Sequence, residues 1–186
     1  SGGPNFAYDL CVQAANPEDL AALDLSTWSL AFTGAEPVRP ETLSRFSQAF
    51  APCGFQNRAF YPCYGMAETT LLVTGGNRAT DPVLYSVDCK ALARNQIVES
   101  AVSLETPQAD KQAGRQGSEQ AVDQNVVDQK AEQKIAEQKT LVGCGHGWLE
   151  QEIEIVDPET LMRCEPGQIG EIWLAGDSIA QGYWQK

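Results

Sequence analysis

The sequence predicts an α/β protein in which a mostly parallel sheet with flanking helices is followed by a small β-barrel-like subdomain, with a polar insertion between them. Residues 28–32 are an apolar run of strand length, and residues 40–50 have the spacing of an amphipathic helix. Residues 58–64 then repeat the strand pattern. Strand, helix and strand in this order are typical of α/β folds with parallel strands.

Shorter elements complete the first region. Residues 6–15 place apolar side chains at helical spacing, and Asn16-Pro17 opens a second helix because proline is favoured in a first turn. Residues 75–77 predict a turn and residues 83–87 a strand. Met66 should begin a helix or a turn directly after the strand at 58–64.

The last region reads as β structure. Acidic and apolar side chains alternate over residues 152–156, which predicts a half-exposed strand. Turns are expected at residues 157–160 and 165–170, and a second strand at residues 171–175. Residues 176–178 break that strand. The pattern indicates a small antiparallel or barrel-like module that begins near residue 149.

Residues 106–140 have a different composition. Gln, Lys, Glu and Ala dominate, and the apolar stripe is limited to Val127, Ala131 and Ile135. Such a tract buries too little apolar surface to offset the entropy lost on ordering. We predict a mobile insertion with a nascent helix at about 122–139, and a coiled-coil partner site is the alternative.

Charge and cysteine content limit the classes of function. The 186 residues carry a net charge of −12, which disfavours nucleic-acid backbones and anionic membranes as partners. No apolar run approaches the ~20 residues of a membrane span, and no secretory signal is present, so a cytoplasmic protein is expected. Six scattered cysteines and one histidine do not form a zinc pattern. We interpret the cysteines as structural thiols and expect no catalytic pair of Cys144 with His146.

The segment 61–70 has the residue types of a nucleotide pocket. Tyr64 offers a flat ring to a purine, and Gly65 lets the backbone approach a ligand. Glu68 offers a carboxylate to a phosphate-bound magnesium ion, and Thr69 adds a hydroxyl. The alternative is a strand that turns into a helix, with Glu68 favoured by the helix dipole. The loop at 33–37 follows a neighbouring strand, so both loops should lie at the same sheet edge.

Three motifs in order resemble the adenylate-forming enzymes. They occupy residues 28–37, 64–70 and 170–184. The opening residues 1–8 and the segment 141–148, which is similar to the end of a family insertion, resemble the fatty acyl-AMP ligase branch. The resemblance implies residues 1–100 as a nucleotide- and acyl-binding α/β subdomain, residues 101–148 as the insertion, and residues 149–186 as the start of a small β subdomain.

The resemblance also implies roles for individual residues. The adenine loop would be Gly34, Ala35 and Glu36, and Tyr64 would stack on the adenine. The backbone beside the nucleotide and the acyl carboxylate would be Gly65, Met66 and Ala67. The catalytic residues would be Glu68, as the magnesium ligand, and Thr69, as a phosphate contact. The acyl tunnel would be lined by Asn5, Phe6 and Tyr8.

The implied chemistry uses ATP and Mg²⁺ to activate a fatty acid as an acyl-adenylate. The acyl group would then pass to the phosphopantetheine thiol of an acyl carrier protein. The family's phosphate loop with its lysine, its Thr-Gly-Asp segment and its C-terminal lysine domain have no counterpart in this sequence. The chain alone is therefore expected to be the inactive middle of a larger adenylation domain.

Three alternatives stay open at this point. An acyl-CoA synthetase and a peptide-synthetase adenylation domain share the same motifs. A non-catalytic structural or docking module, which uses its polar arm to bind a partner, is an alternative of a different class.

Overall fold

The computed structural model describes residues 1–100, 137–147 and 150–185. The chain divides into two compact units. One consists of Ser1–Tyr85 with Thr140–Lys186, and the other of Ser86–Lys139. Among the described helices, none has the length and apolar character needed to cross a membrane.

Three of the four helices begin within one residue of the predicted positions, and the fourth was not predicted. They are α1 (Asn5–Ala14), α2 (Pro17–Ala22), α3 (Pro40–Phe50) and α4 (Cys89–Leu92). Asn16 caps α2, because its Oδ1 accepts a hydrogen bond from the Asp19 backbone N–H at 2.9 Å. Asp88 caps α4 in the same way through the Ala91 N–H at 2.7 Å.

Eight strands are present in the described residues. They are β1 (Ala31–Thr33), β2 (Phe60–Met66), β3 (Leu71–Gly75), β4 (Leu84–Asp88), β5 (Gln138–Val142), β6 (His146–Gly147), β7 (Glu152–Val156) and β8 (Glu171–Ala175). β1 is shorter than predicted and begins at Ala31, after a turn near Trp28. The main sheet has the order β1-β2-β3-β6, β4 pairs with β5, and β7 pairs with β8.

The main sheet is mixed rather than mostly parallel. β1 pairs parallel to β2, with Thr33 opposite Pro62, whereas β2–β3 and β3–β6 are antiparallel. The reason is the connection after β2, which returns to β3 within four residues. A connection this short can join only antiparallel strands.

The core of the larger unit is aromatic. Phe46 of α3 lies at its centre and contacts Tyr8 and Phe55 edge-to-face, with ring centroids 5.0 and 4.9 Å apart. Trp28, Phe50 and Phe60 complete the cluster. Buried aromatic pairs each contribute about 0.5–1.5 kcal/mol beyond the area that they bury, so this cluster anchors α1 and α3 beside the sheet.

The C-terminal region forms a two-stranded ladder. β7 and β8 pair over five positions, from Glu152 opposite Ala175 to Val156 opposite Glu171. The described residues form no closed barrel, and residues 179–184 are irregular. Most of the insertion predicted at 101–148 lies outside the described residues. Where it is described, Gln138 already belongs to β5, inside the range that predicted a helix.

Candidate active site

The motif at 64–70 forms the end of a β-hairpin. β2 ends at Met66, β3 begins at Leu71, and residues 67–70, here called the Glu68 loop, connect them. The helix or turn expected after Met66 is a single 3₁₀ turn at Ala67–Thr69. A register shift between Tyr64 and Gly65 bends the hairpin just before this loop.

Gly65 is required by the close approach of the two strands. A Cβ on Gly65 would lie 1.7 Å from the Leu71 carbonyl oxygen. A second close approach joins the two predicted loops, because a Cβ on Gly34 would lie 2.7 Å from the Cys63 carbonyl oxygen. The structure therefore brings residues 34–36, here called the Gly34 loop, beside the end of β2, as the sequence predicted.

Strained backbone occurs at both of these loops, as it does at Ala79, Asn95 and Leu161 elsewhere in the described residues. Thr70 and Leu71 have φ values of 59° and 89°, and Ala35 in the Gly34 loop has a φ of 66°. Left-handed conformations at residues other than glycine cost about 1–3 kcal/mol each and recur at ligand-binding sites. The β-branched side chain of Thr70 makes its conformation especially unusual.

Residues 176–180, here called the Ser178 loop, are bonded to the Glu68 loop. The Ala180 N–H donates to the Glu68 carbonyl at 2.7 Å, and the Thr70 hydroxyl donates to the Ser178 carbonyl at 2.8 Å. Gln151 connects the Ser178 loop to β3, since its Nε2 donates to Ser178 Oγ at 2.6 Å and to the Leu72 carbonyl at 3.4 Å.

Gln151 and Ser178 were not among the predicted site residues. Ser178 lies in the third sequence motif, but that motif gave no indication of what its side chain contacts. Gln151 lies outside all three motifs, and 79 positions separate it from Leu72. Only the folded chain reveals this contact.

Tyr64 faces an open groove of about 510 Å³. One wall is apolar and consists of Ile153, Ile155 and Ile172 of the β7–β8 ladder. His146 lies at the same groove. An aromatic ring and apolar side chains that line the same groove suit a flat heterocycle, whose faces are apolar.

The cysteines near the site are not poised as nucleophiles. Burial raises the pKa of the Cys63 and Cys144 thiols above their ordinary values. Both therefore stay protonated near neutral pH, and the protonated thiol is the unreactive form.

Two polar atoms without protein partners lie at the end of β1 and in the Gly34 loop. Thr33 Oγ1 and Glu36 Oε1 are buried and accept or donate no hydrogen bond within the described parts of the chain. Buried polar atoms are normally paired, and exceptions often mark a place where a ligand or water binds. These two atoms therefore fit a site for a polar ligand next to the loop.

Glu68 and Thr69 have different environments. The Glu68 side chain is exposed, whereas Thr69 is buried and its hydroxyl donates to the Met66 carbonyl at 3.0 Å. The part of the chain that the structure describes contains no group of three or more His, Cys, Asp or Glu side chains that could hold a metal. A single carboxylate still fits Mg²⁺, which usually keeps several waters and binds one or two carboxylates plus phosphates.

The three residues predicted to line an acyl tunnel lie on α1. Asn5 is buried and bonds the chain before α3, donating to the Pro37 carbonyl and accepting from the Arg39 N–H, both at 2.9 Å. Tyr8 is buried and donates to the Phe32 carbonyl at 2.7 Å. Phe6 is 62% exposed.

Known proteins match this chain along its whole length. Residues 120–184 match the model of the AMP-binding enzyme family. The chain is 34% identical to the medium-chain-fatty-acid–[acyl-carrier-protein] ligase TtuA of Teredinibacter turnerae and 36% identical to the ligase JamA of Moorena producens, which bears the same description. The chain spans about a quarter of the length of these curated relatives, 24% and 26% respectively.

A solved structure supports the same relationship. The fatty acyl-adenylate ligase from L. pneumophila, in complex with acyl adenylate and pyrophosphate, matches with a TM-score of 0.75 and 37% identity. The match covers 100% of this chain and 27% of that one. Motifs, backbone and sequence identity agree: along its whole length the chain is similar to a segment of fatty acyl-adenylate ligases, and residues 120–184 match the AMP-binding enzyme family.

Proposed function

We propose that this chain is part of an ATP-dependent fatty acyl-AMP ligase. The observation that carries the proposal is the meeting of the Gly34 loop, the Tyr64 groove and the Glu68 loop at one edge of the sheet. The related L. pneumophila structure holds acyl adenylate and pyrophosphate. Acyl adenylate and pyrophosphate are the products expected of a site that combines one nucleotide-sized groove with one carboxylate.

In the first step, a carboxylate oxygen of the fatty acid forms a bond to the α-phosphorus of ATP, and the bond to pyrophosphate breaks. The protein supplies no nucleophile for this step and acts by positioning the two substrates. Tyr64 stacks on the adenine, and the buried oxygen of Glu36 accepts a hydrogen bond from the adenine amino group. Gly34 and Ala35 shape the loop that presents Glu36.

The backbone of Gly65, Met66 and Ala67 lines the nucleotide phosphate and the acyl carboxylate. Glu68 holds Mg²⁺, which when bound offsets the negative charge on the phosphates. Thr69 anchors the loop through the Met66 carbonyl and is the proposed phosphate contact if its hydroxyl turns outward. On α1, Phe6 meets the acyl chain, and Asn5 and Tyr8 hold the residues around it in place.

In the second step, the phosphopantetheine thiol of an acyl carrier protein attacks the acyl carbonyl carbon, and AMP leaves. TtuA and JamA are named as ligases of acyl carrier protein, which supports this acceptor. We also propose that the protein is cytoplasmic and binds no nucleic acid, because a net charge of −12 would repel a phosphate backbone.

The proposed domain division follows the motifs. Residues 1–100 bind nucleotide and acyl chain, residues 101–148 form the insertion of this branch, and residues 149–186 begin a small subdomain. Within the last of these, β7 and β8 are proposed as the first strands of a barrel-like sheet.

The test uses the longest natural protein that contains this sequence. Fatty-acid-dependent exchange of pyrophosphate into ATP is measured for the wild type, Tyr64→Ala and Tyr64→Phe. Stacking predicts a rise of at least about tenfold in the KM for ATP in Tyr64→Ala and near-normal values in Tyr64→Phe. Tyr85→Ala, which removes an exposed tyrosine away from the groove, is the matched control. Exchange without fatty acid dependence would contradict the proposal.

Two further measurements separate the alternatives. An acyl-CoA synthetase would release a thioester with free CoA, whereas the proposed ligase would acylate only the carrier protein. For a docking module, deletion of residues 106–140 would abolish partner binding and leave the fold intact, and the wild type would show no pyrophosphate exchange.

A further inference from the structure

We propose that Gln151 is a positioning residue for the Glu68 loop. With Ser178 it joins three separate parts of the chain, and so fixes the backbone from which Glu68 projects. The catalytic consequence of this role rests on the function proposed above, whereas its structural part does not.

The hydrogen bonds form one connected set. The Gln151 amide donates to the Leu72 carbonyl in β3 and to the Ser178 hydroxyl. The Ser178 carbonyl in turn accepts from Thr70, and two residues later Ala180 donates to the Glu68 carbonyl. The Glu68 loop is therefore held at both of its ends by the Ser178 loop, and Gln151 holds the Ser178 loop against β3.

The Glu68 loop needs such support. Thr70 and Leu71 are strained, and Leu71 is 73% exposed, so burial of its side chain does not hold its conformation. Strained backbone persists only where surrounding contacts over-determine it. Of the loop residues 67–70, only Thr69 is buried. Local hydrogen bonds from the Thr69 hydroxyl to the Met66 carbonyl and from the Thr70 N–H to the Ala67 carbonyl also hold this backbone. The bonds from the Ser178 loop are the ones that tie it to a distant part of the chain.

The contacts of Gln151 fit a role in positioning the Glu68 loop better than a role in stabilising the β7–β8 ladder. It precedes the β7–β8 ladder, whose first pair is Glu152 with Ala175, so the ladder does not depend on its side chain. Its Oε1 is buried and accepts no hydrogen bond within the described ranges. Two donated bonds thus hold this amide in place, and a side chain of the same size without donors would lose both.

The consequence for the proposed reaction is specific. Loss of the Gln151 bonds should free the Glu68 loop and leave the Tyr64 groove intact, because the groove is lined by other residues. Loss of an interaction that acts only in the transition state lowers kcat and changes KM little. Adenylation should therefore slow while the KM values for ATP and fatty acid stay nearly constant.

The experiment compares Gln151→Leu with two other variants in the longest natural protein that contains this sequence. Ser178→Ala removes the other half of the same contact. Gln48→Leu is the matched control, because Gln48 lies on α3 and bonds only Ser44, four residues away. The readouts are thermal unfolding, hydrogen–deuterium exchange of peptides that cover residues 67–72 and 176–181, and the kinetics of pyrophosphate exchange.

The proposal expects three results for Gln151→Leu. Exchange of both peptides should accelerate by about tenfold, kcat should fall by about tenfold with KM changed less than about twofold, and the double variant with Ser178→Ala should be no worse than either single variant. Unchanged deuterium exchange in the two peptides would overturn the proposal, as would a fall in kcat matched by Gln48→Leu. If the wild type shows no adenylation, the proposed function fails, and deuterium exchange alone still decides whether Gln151 holds the loop.

Discussion

The aromatic core and the Glu68 loop are held in place by different kinds of interaction. Around Phe46, buried rings pack edge-to-face, and the side chains are 6% exposed or less at Tyr8, Phe46, Phe50, Phe55 and Phe60. The Glu68 loop is mostly exposed and strained, and hydrogen bonds from a distant segment hold it. Stability should therefore depend on the first region, and the position of the proposed catalytic groups on the second.

The largest expected effect would come from removing the centre of the core. Phe46→Ala should lower the free energy of unfolding by about 3–5 kcal/mol, because it leaves a cavity among five aromatic neighbours. Urea denaturation measures this change. Phe6→Ala, at an exposed position of α1, should change stability by less than about 0.5 kcal/mol. Equal losses of stability in the two variants would contradict the expectation that stability depends on the buried aromatic core.

Gly65→Ala tests the loop instead. The added methyl group would lie 1.7 Å from the Leu71 carbonyl oxygen, so the hairpin must shift and carry Glu68 with it. We expect pyrophosphate exchange to fall by at least about a hundredfold, equivalent to roughly 2.7 kcal/mol, while the aromatic core still melts cooperatively. Gly76→Ala is the control, since a methyl group on Gly76 would lie 3.6 Å from the nearest atom, the Pro62 carbonyl oxygen. Similar activity in both variants would show that the close approach does not matter.

Tyr8→Phe tests the border between core and sheet. Loss of the hydrogen bond to the Phe32 carbonyl should cost about 1–3 kcal/mol. Burial raises the pKa of Tyr8 above its ordinary value in the folded state. Its contribution is therefore fully present below about pH 10, the pKa of an unfolded tyrosine, and declines as pH rises further.

The measurement is the free energy of unfolding of the wild type and of Tyr8→Phe at pH 8 and at pH 11. The difference between the two proteins should narrow at the higher pH. A difference that is constant over this interval would show that Tyr8 ionises equally in both states.

Leu71→Gly should have a smaller effect on stability than Tyr8→Phe, and it tests the strain at the end of the Glu68 loop directly. Glycine adopts a φ of 89° without strain, and the exposed leucine side chain adds little packing. Relief of strain and the greater entropy of the unfolded chain oppose each other, so stability should change by less than about 1 kcal/mol. Thermal unfolding measures this, and a loss as large as that of Phe46→Ala would place Leu71 in the core.

The sequence predicted the core region well because its signals are local. The apolar spacing of α3 gave bounds that the structure confirms, and Asn16-Pro17 gave the start of α2. The alternation over Glu152–Val156 and the following turns located β7 and β8. Each of these elements is determined by residues within a few positions of one another.

What the sequence did not predict depends on one short connection and on contacts between distant residues. A mostly parallel sheet was expected, but the direction of β3 depends on the four-residue return after Met66, which the sequence suggested was a helix or a turn. The contacts of Gln151 and Ser178 could not be predicted, because no periodic pattern links positions so far apart. The predicted roles of the Gly34 loop, Tyr64, Glu68 and Thr69 stay predictions.

The distance along the chain between Thr70 and Ser178 also has a consequence during synthesis. The two residues are 108 positions apart. At about 5–20 residues per second, the ribosome adds Ser178 roughly 5–20 s after Thr70. The hairpin can pair as soon as it leaves the ribosome, but its tip has no anchor until the later segment emerges. A nascent chain would thus fold its aromatic core first. Its Glu68 loop would be held in place by the Ser178 loop only near the end of translation of this region.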